Sequence, residues 1–266
     1  MLQVLHYGDG PSQHVELSLP AGPATELSVV VVLHGGFWKA AYGSDLGAPL
    51  AADLVTYGVA VWNVEYRRVG EGGGWPETLL DVAAAVDLLE SKGQAAAGGR
   101  LDLSRVVALG HSAGGQLAVW AAGRGRLPAG APGAAPKVLV SGAVSQAGVL
   151  DLVRASALGL GGGAVDHLLG GGPGDVPERY AVASPVALAP LGVPVTVVHG
   201  LHDVVVPPEI SERYAAAASG EVTAVFLPEV GHFEVIDPAH AAWAASRDAV
   251  LRLARRGPAR RLTNDW

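Results

Sequence analysis

The chain has 266 residues, half of them hydrophobic, so it can fold as one large domain or two small ones around a sizeable core. A net charge of −7 argues against nucleic acid as a main partner, because phosphate contacts need clustered Lys and Arg. The sequence contains no Cys, which excludes disulfides, a thiolate nucleophile and a Cys-ligated metal.

The opening residues of the chain and its hydropathy predict a soluble, cytoplasmic protein. The opening MLQVLHYGDG lacks the basic and apolar regions of a signal peptide, although a mature secreted chain without its leader would look the same. No apolar run approaches the roughly 18 residues of a membrane span. Only 16% of the residues are charged, and so sparsely charged a surface permits a homodimer. The one basic cluster is interpreted as helix-terminal cations followed by a solvated tail, and it comprises Arg252, Arg255, Arg256, Arg260 and Arg261.

Strand and helix patterns alternate along most of the chain. HVELSLP (14–20) alternates polar and apolar residues like an outer strand, and LSVVVVLHGG (27–36) is typical of a strand buried on both faces. The clearest helix is predicted at 75–93, where apolar residues fall on one helical face. The last helix is predicted at 237–256, with Asp237 as its N-cap. The other predicted strands are 59–66, 105–110, 137–145, 193–200 and 221–228, and the other helices are 45–58, 113–123 and 207–220.

This alternation predicts an α/β fold in which a parallel sheet carries helices on both faces. One segment, 146–192, breaks the pattern and contains the glycine-rich stretches GLGGG and GGGPGDVPERY. It is long for a connection inside a compact domain, so it is interpreted as an insertion with one short helix near 149–158, acting either as a lid or as a plain surface loop. No second domain boundary is visible, and residues 1–266 are predicted to form a single domain.

The stretch LGHSAGGQ (109–116) places Ser112 between Gly110 and Gly114, after a predicted strand and before a predicted helix. The pattern G-x-S-x-G in this context indicates a nucleophilic serine on a tight strand-to-helix turn, where the flanking residues must be small. In a chain with 37 Gly the motif alone can arise by chance, so the assignment depends on partner residues elsewhere.

A serine hydroxyl needs a base to take its proton and an acid to orient that base. His232 is the best candidate base, because it follows the last predicted strand and so lies at the same sheet edge as Ser112. Asp203 follows the preceding strand, which gives the chain order Ser, Asp, His that accompanies this motif. The alternatives are His202 and His240 for the base and Asp237 for the acid, whereas His199, inside a predicted strand, is interpreted as structural.

Donors for a developing oxyanion are predicted in HGGFW (34–38), directly after the four-valine strand. Its two glycines allow backbone N–H groups to turn inward. Together with the Ala113 N–H, these groups can hold the negative charge that develops on an acyl oxygen.

The assembled motifs resemble the α/β-hydrolase fold family, and more closely its esterase, lipase and kynurenine formamidase branch with an HGG-type oxyanion motif. The resemblance implies a single domain with a mostly parallel sheet of roughly eight strands, helices on both faces and a small cap at about 146–192. The matching pieces run in family order over nearly the whole chain: LHGGFW, NVEYRR, GGGWPETLLDV, ALGHSAGGQLA, SPVAL, VHGLHDVVVPP and VGHFEVIDP.

The resemblance also implies residue roles, with Ser112 as nucleophile, His232 as base and Asp203 as orienting acid. Gly36 and Phe37 occupy the second and third positions of the related HGGG motif, so their amides are expected in the oxyanion hole with that of Ala113. The family needs no metal or organic cofactor, and none is expected here. Three aromatic residues beside motif positions are candidates for the substrate pocket or for core packing: Trp38, Trp75 and Phe233.

The expected substrate is a small-molecule ester or amide. A carboxylesterase acting on short acyl or aryl esters is the first expectation. An arylformamidase that cleaves N-formylkynurenine to kynurenine and formate would use the same residues, so the motifs do not separate the two. A different kind of hypothesis is a non-catalytic binding protein built on a hydrolase fold. Such proteins usually lack at least one of the three triad residues, whereas all three are present here.

Overall fold

The computed structural model describes residues 2–220 and 222–256, so Arg260 and Arg261 of the predicted basic tail lie outside the described residues. Eight strands form one sheet: β1 (Leu2–His6), β2 (His14–Ser18), β3 (Leu27–Leu33), β4 (Ala60–Val64), β5 (Leu101–His111), β6 (Gly142–Gln146), β7 (Val195–Gly200) and β8 (Val222–Leu227). The helices are α1 (Ala48–Val55), α2 (Glu77–Asp87), α3 (Lys92–Ala96), α4 (Ala113–Gly123), α5 (Leu152–Ala157), α6 (Leu160–Leu169), α7 (Pro177–Ala183), α8 (Pro185–Leu188), α9 (Glu209–Ala217) and α10 (Trp243–Arg255).

The sheet is mostly parallel, with the strand order β1-β2-β4-β3-β5-β6-β7-β8. Strand β2 pairs antiparallel with both β1 and β4, and all the other neighbouring strands pair in parallel. The carboxyl ends of β3, β5, β6, β7 and β8 therefore meet at one edge of the sheet, where open α/β folds bind their ligands.

Strand β3 shows why the sheet carries helices on both faces. All seven of its residues are buried. Val29 and Val31 belong to the apolar core on the α4 side, while Val30 and Val32 belong to the core on the α10 side. Successive side chains of a strand point to opposite faces, so a run of valines needs an apolar layer on each side. The predicted α/β class and the two helical layers are confirmed.

Two strands differ from the sequence prediction. The N-terminal strand β1 was not predicted, because its alternating residues are half exposed and its burial depends on pairing with β2. The strand predicted at 137–145 begins only at Gly142. The backbone amides of Lys137 and Val138 instead donate to the Asp87 carboxylate, at 3.1 and 3.2 Å, which holds that stretch away from the sheet.

The predicted start of the last helix is wrong. Helix α10 begins at Trp243, and Asp237 ends a short 3-10 turn at Glu234–Ile236. The Asp237 side chain accepts from the amide of Ala239 at 2.9 Å, so it stabilises a local turn rather than the helix N-terminus. His240 precedes the helix, where its ring accepts from the Ala242 amide.

Segment 146–192 folds as four short helices, α5 to α8, and not as an open loop. Its apolar side chains, among them Leu150, Val165 and Leu169, belong to the same core as α4 and β3. Within α6, Gly161, Gly162 and Gly163 all have positive φ values, which break the helical geometry. Its role as a cap stays a prediction.

Candidate active site

Ser112 occupies the sharp turn between β5 and α4. Its backbone has a positive φ of 54° with ψ −117°, a strained conformation for a residue with a side chain, and its amide donates to the Gln146 carbonyl at 2.8 Å. A Cβ atom on Gly110 would overlap the backbone of Gly114, and one on Gly114 would overlap that of Leu33. The two glycines of the motif are therefore required by close backbone packing, as the sequence predicts.

Three non-glycine residues with positive φ lie next to each other at this sheet edge: Phe37 at 50°, Trp38 at 54° and Ser112 at 54°. Such conformations each cost about 1–3 kcal/mol and persist only where the surrounding structure fixes them. Strain of this kind concentrates at functional sites, which makes this edge the candidate active site.

The predicted base and acid form a buried pair. The Nδ1 atom of His232 lies 2.6 Å from Oδ2 of Asp203, and the two residues are 5% and 6% exposed. Because a carboxylate oxygen accepts, His232 carries its proton on Nδ1, which leaves Nε2 free to act as a base. The His232 ring lies 4.5 Å from that of His111, the residue that precedes Ser112.

The carboxyl group of Asp203 is held in its charged form. Burial alone would raise its pKa, but hydrogen bonds from His199 and His232 and from the Val206 amide outweigh that effect and hold the pKa well below its usual range. A charged Asp203 at neutral pH can stabilise a positive charge on the His232 ring, which is what the predicted role of the acid requires.

His111 anchors the loop that carries His232, the predicted base. Its Nε2 donates to the backbone carbonyl of His232 at 2.9 Å. Burial, together with the neighbouring His232, lowers the pKa of His111 to about 3, so this ring is neutral at physiological pH. His111 is therefore a neutral hydrogen-bond donor that fixes the position of His232.

The HGGFW loop lies directly against Ser112, the predicted nucleophile. A Cβ atom on Gly35 would come within 3.0 Å of the His111 carbonyl oxygen and 3.2 Å of the Ser112 Cβ. The Ala113 N–H is the first of α4, where the helix offers no internal acceptor and the helix dipole is positive. The structure thus brings the two predicted sources of oxyanion donors to one place.

A buried charged network stabilises this loop from behind. The Glu65 carboxylate contacts Nε2 of His34 at 3.2 Å and Nη1 of Arg68 at 2.7 Å, and it accepts from the Ser44 amide at 2.8 Å. Burial alone would raise the pKa of Glu65, but the bonds from His34 and Ser44 and the charge of Arg68 lower it overall. The hydroxyl of Tyr66 donates to the His34 carbonyl at 2.8 Å.

The three candidate pocket residues have different environments. Trp38 is fully buried and donates to the Gln116 side chain at 3.1 Å, which favours core packing. Trp75 is half-buried, with the Arg179 guanidinium 5.9 Å from its ring centre. Phe233 is 63% exposed and lies edge-on to the His232 ring at 5.1 Å, so it forms part of the rim of the site.

The described residues present neither a cluster of metal ligands nor a membrane-spanning helix. Within 2–220 and 222–256, no group of three or more His, Cys, Asp or Glu is arranged to hold a metal ion. Asp166, an acidic residue of the glycine-rich segment 146–192, has side-chain partners instead of a metal-ligand cluster: one carboxylate oxygen accepts from the hydroxyls of Ser156 and Tyr180 at 2.5 and 2.8 Å. Among the helices of the described part of the chain, none is long and apolar enough to cross a membrane.

The sequence matches the BD-FAE family over residues 15–217, which is most of the chain. The chain belongs to the BD-FAE family. No match was found among curated proteins.

Solved structures similar to this BD-FAE chain share its fold at low sequence identity. A truncated carbohydrate esterase from gut microbiota is 21% identical, with 96% of this chain and 97% of that one covered and a TM-score of 0.81. Esterase 2 of Thermogutta terrifontis with bound propionate is 22% identical, with coverages of 94% and 92% and a TM-score of 0.74. A bifunctional GH43-CE protein of Bacteroides eggerthii is 24% identical over 94% of this chain, with a TM-score of 0.79, and this chain spans only 37% of its length. The α/β-hydrolase fold predicted from the sequence is confirmed.

The sequence did not indicate the side chains that surround the three predicted catalytic residues of this BD-FAE chain. His199, interpreted as a structural strand residue, contacts the Asp203 carboxylate at 3.1 Å. The available signal was its position at the end of a strand, four residues before the acid, where a side chain can reach the loop that follows. His111 and His232, which are in contact, lie 121 residues apart in the sequence, and no local pattern indicates that they meet.

Proposed function

We propose that this BD-FAE chain is a serine esterase that cleaves carboxylic esters of short acyl or aryl type. The observation that carries the proposal is the buried His232–Asp203 pair at the sheet edge where Ser112 sits on a sharp turn with positive φ. This arrangement combines a nucleophile, a base with a free Nε2 and an acid held in its charged form.

In the proposed mechanism, Ser112 Oγ attacks the acyl carbonyl while His232 Nε2 takes its proton. The Ala113 amide and those of Gly36 and Phe37 stabilise the oxyanion. The imidazolium of His232 then protonates the leaving alcohol. A water molecule, activated by the same ring, hydrolyses the acyl-enzyme and returns Ser112 to its free form.

A short acyl group is supported by the enclosure of the nucleophile, since Ser112 is only 2% exposed. The fold relatives add support, because Thermogutta terrifontis esterase 2 has been obtained with propionate and with butyrate bound. The carbohydrate esterase among the relatives makes an acylated sugar a substrate class to include in the assay.

The test compares wild type with Ser112→Ala and with Ser91→Ala, a control at an exposed serine. We expect S112A to lose p-nitrophenyl acetate turnover, with an unchanged circular dichroism spectrum, and S91A to keep it. Turnover retained in S112A would overturn the proposal. Labelling with a fluorophosphonate tests the nucleophile separately, because a non-catalytic binding protein would form no adduct at Ser112.

An arylformamidase acting on N-formylkynurenine is the alternative, because it would use the same three residues and a formyl group is smaller still. A panel of p-nitrophenyl acetate, butyrate and octanoate, an acetylated sugar and N-formylkynurenine separates the two. We expect the acetyl and butyryl esters to have the highest kcat/KM. A preference for N-formylkynurenine over every ester would favour the formamidase.

A further inference from the structure

Both oxygens of the Asp203 carboxylate are engaged. Oδ1 accepts from the amides of Val205 and Val206, at 2.8 and 2.9 Å. Oδ2 lies 2.6 Å from Nδ1 of His232 and 3.1 Å from Nε2 of His199. One carboxylate oxygen is therefore shared between two histidines, of which only His232 has a role in the proposed mechanism.

The position of the proton on His199 follows from its other contacts. Nε2 also lies 2.8 Å from the carbonyl oxygen of Val206, and a carbonyl only accepts, so Nε2 carries the hydrogen. On the other side of the ring, Nδ1 lies 2.7 Å from Oγ of Ser211, whose hydroxyl donates to it. Both His199 and Ser211 are fully buried. Ser211 on α9 thus selects the tautomer of His199 that can donate to Asp203.

We infer that His199 is a positioning residue: its Nε2–H holds Oδ2 of Asp203 in the orientation that His232 needs. The inference rests on the proposed esterase function of Ser112. The contacts run from Ser211 to His199, from His199 to Asp203 and from Asp203 to His232. They connect α9 and β7 to the loop after β8, which carries the proposed base.

The physical consequence concerns both geometry and charge. With two donors on Oδ2, the carboxylate has less freedom to rotate, so the His232 ring stays in one tautomer and one orientation. Removing one donor concentrates the carboxylate charge on His232 and favours its imidazolium form. The acid limb of the pH profile of kcat/KM then moves to higher pH.

Other titratable groups near the carboxylate must be considered in such a profile. His111, on β5, already has a pKa of about 3 and stays neutral over the range to be measured. His202 on the Asp203 loop and Glu234 on the His232 loop are unchanged in every variant, so they contribute equally to all the profiles.

The experiment compares His199→Gln, His199→Asn and Ser211→Ala. A Gln amide nitrogen reaches the position of Nε2, whereas an Asn amide reaches only the position of Nδ1. H199N therefore keeps the partner of Ser211 but loses the donor to Asp203 and to the Val206 carbonyl, whereas H199Q keeps that donor. The readouts are kcat and KM for p-nitrophenyl acetate, the pH profile of kcat/KM, the midpoint of thermal unfolding, and the proton NMR signal of the His232 Nδ1–H, assigned by its loss in His232→Gln.

We expect H199N to lower kcat by about 10- to 100-fold with little change in KM, as for other residues that orient a reactive group. Its acid limb should move to higher pH and its His232 Nδ1–H signal should shift or broaden. H199Q should regain most of the lost kcat and the signal, and S211A should fall between them. Equal loss in H199Q and H199N at equal unfolding midpoints, or a wild-type profile and signal in H199N, would overturn the inference. If the wild type neither turns over esters nor labels at Ser112, the proposed function fails, and the NMR comparison alone still decides the role of His199.

Discussion

Gly114 packs directly on the backbone of Leu33, the last residue of β3. A Cβ atom at position 114 would overlap the Leu33 carbonyl oxygen and approach that of His34. The first turn of α4 therefore lies against the strand that leads into the HGG loop. The lack of a side chain at Gly114, two residues after Ser112, therefore sets the distance between the Ala113 amide and this loop.

Replacing Gly114 should therefore disturb the site and the fold together. We expect Gly114→Ala to destabilise the protein by at least about 1–3 kcal/mol, because the new methyl group meets backbone atoms that cannot move independently. Urea unfolding measures the effect. Gly174→Ala is the matched control, since a Cβ there meets no atom of residues 2–220 and 222–256 within 4 Å and should leave stability nearly unchanged. Equal stability of the two variants would contradict the packing argument.

The buried His111 makes stability fall in acid. In the unfolded chain this residue takes up a proton near its ordinary pKa of about 6.5, but in the folded protein its pKa is lowered to about 3. The unfolded state therefore binds more protons between these values, so the contribution of His111 to stability is lost as pH falls from about 6.5 toward 3. His111→Gln keeps a donor for the His232 carbonyl without titrating.

The corresponding measurement is the urea midpoint as a function of pH from 7.5 to 4. We expect the midpoint to fall more steeply in wild type than in H111Q over this window. Parallel curves would show that His111 does not carry this part of the acid sensitivity.

The Glu65 carboxylate is predicted to hold the HGGFW loop in place through its contact with His34, the first residue of that loop. Glu65→Gln removes the charge that Arg68 and His34 face, and we expect a stability loss of about 1–3 kcal/mol and a lower kcat on p-nitrophenyl acetate. Because the folded pKa of Glu65 is lowered, its contribution is present above the ordinary pKa of 4.5 and disappears as pH falls through the folded value. The stability difference between wild type and E65Q should therefore shrink in acid.

The control for this prediction is Glu71→Gln, because Glu71 also pairs with Arg68 but its side chain is 37% exposed. We expect E71Q to change kcat much less than E65Q. If the two variants lower kcat equally, the effect comes from Arg68 and not from the contact with His34.

The sequence was sufficient to predict the elements that depend on local chemistry. The valine run of β3, the small residues of 110–115 and the order of Ser112, Asp203 and His232 each have a direct cause in residue type and spacing. What it did not indicate depends on contacts between distant segments. Strand β1 needs β2 as a partner. The late start of β6 depends on Asp87 of α2, whose carboxylate accepts from backbone amides in the stretch before the strand. The place of His199 depends on a loop that turns back over the strand.

Segment 146–192 contacts the HGGFW loop and the residue that follows it at Gly161. The Phe37 ring packs at Gly161, where a Cβ atom would come within 2.7 Å of it, and the Lys39 ammonium donates to the Gly161 carbonyl at 2.7 Å. Gly161→Ala should therefore push on Phe37, whose amide is a proposed oxyanion donor.

Gly162→Ala is the control that distinguishes the displacement of Phe37 from the strain of placing a side chain at a positive φ. Gly161 and Gly162 have similar positive φ values, 62° and 70°, but a Cβ on Gly162 meets no atom within 4 Å. Both alanine variants should lose about 1–2 kcal/mol of stability because a left-handed residue gains a side chain, and G161A should lose more because its methyl group also meets the Phe37 ring. We expect only G161A to lower kcat/KM on p-nitrophenyl acetate beyond that shared effect, because only its methyl group displaces the loop that holds the Phe37 amide. Equal kcat/KM in the two variants would show that the contact between Gly161 and Phe37 does not reach the reacting carbonyl.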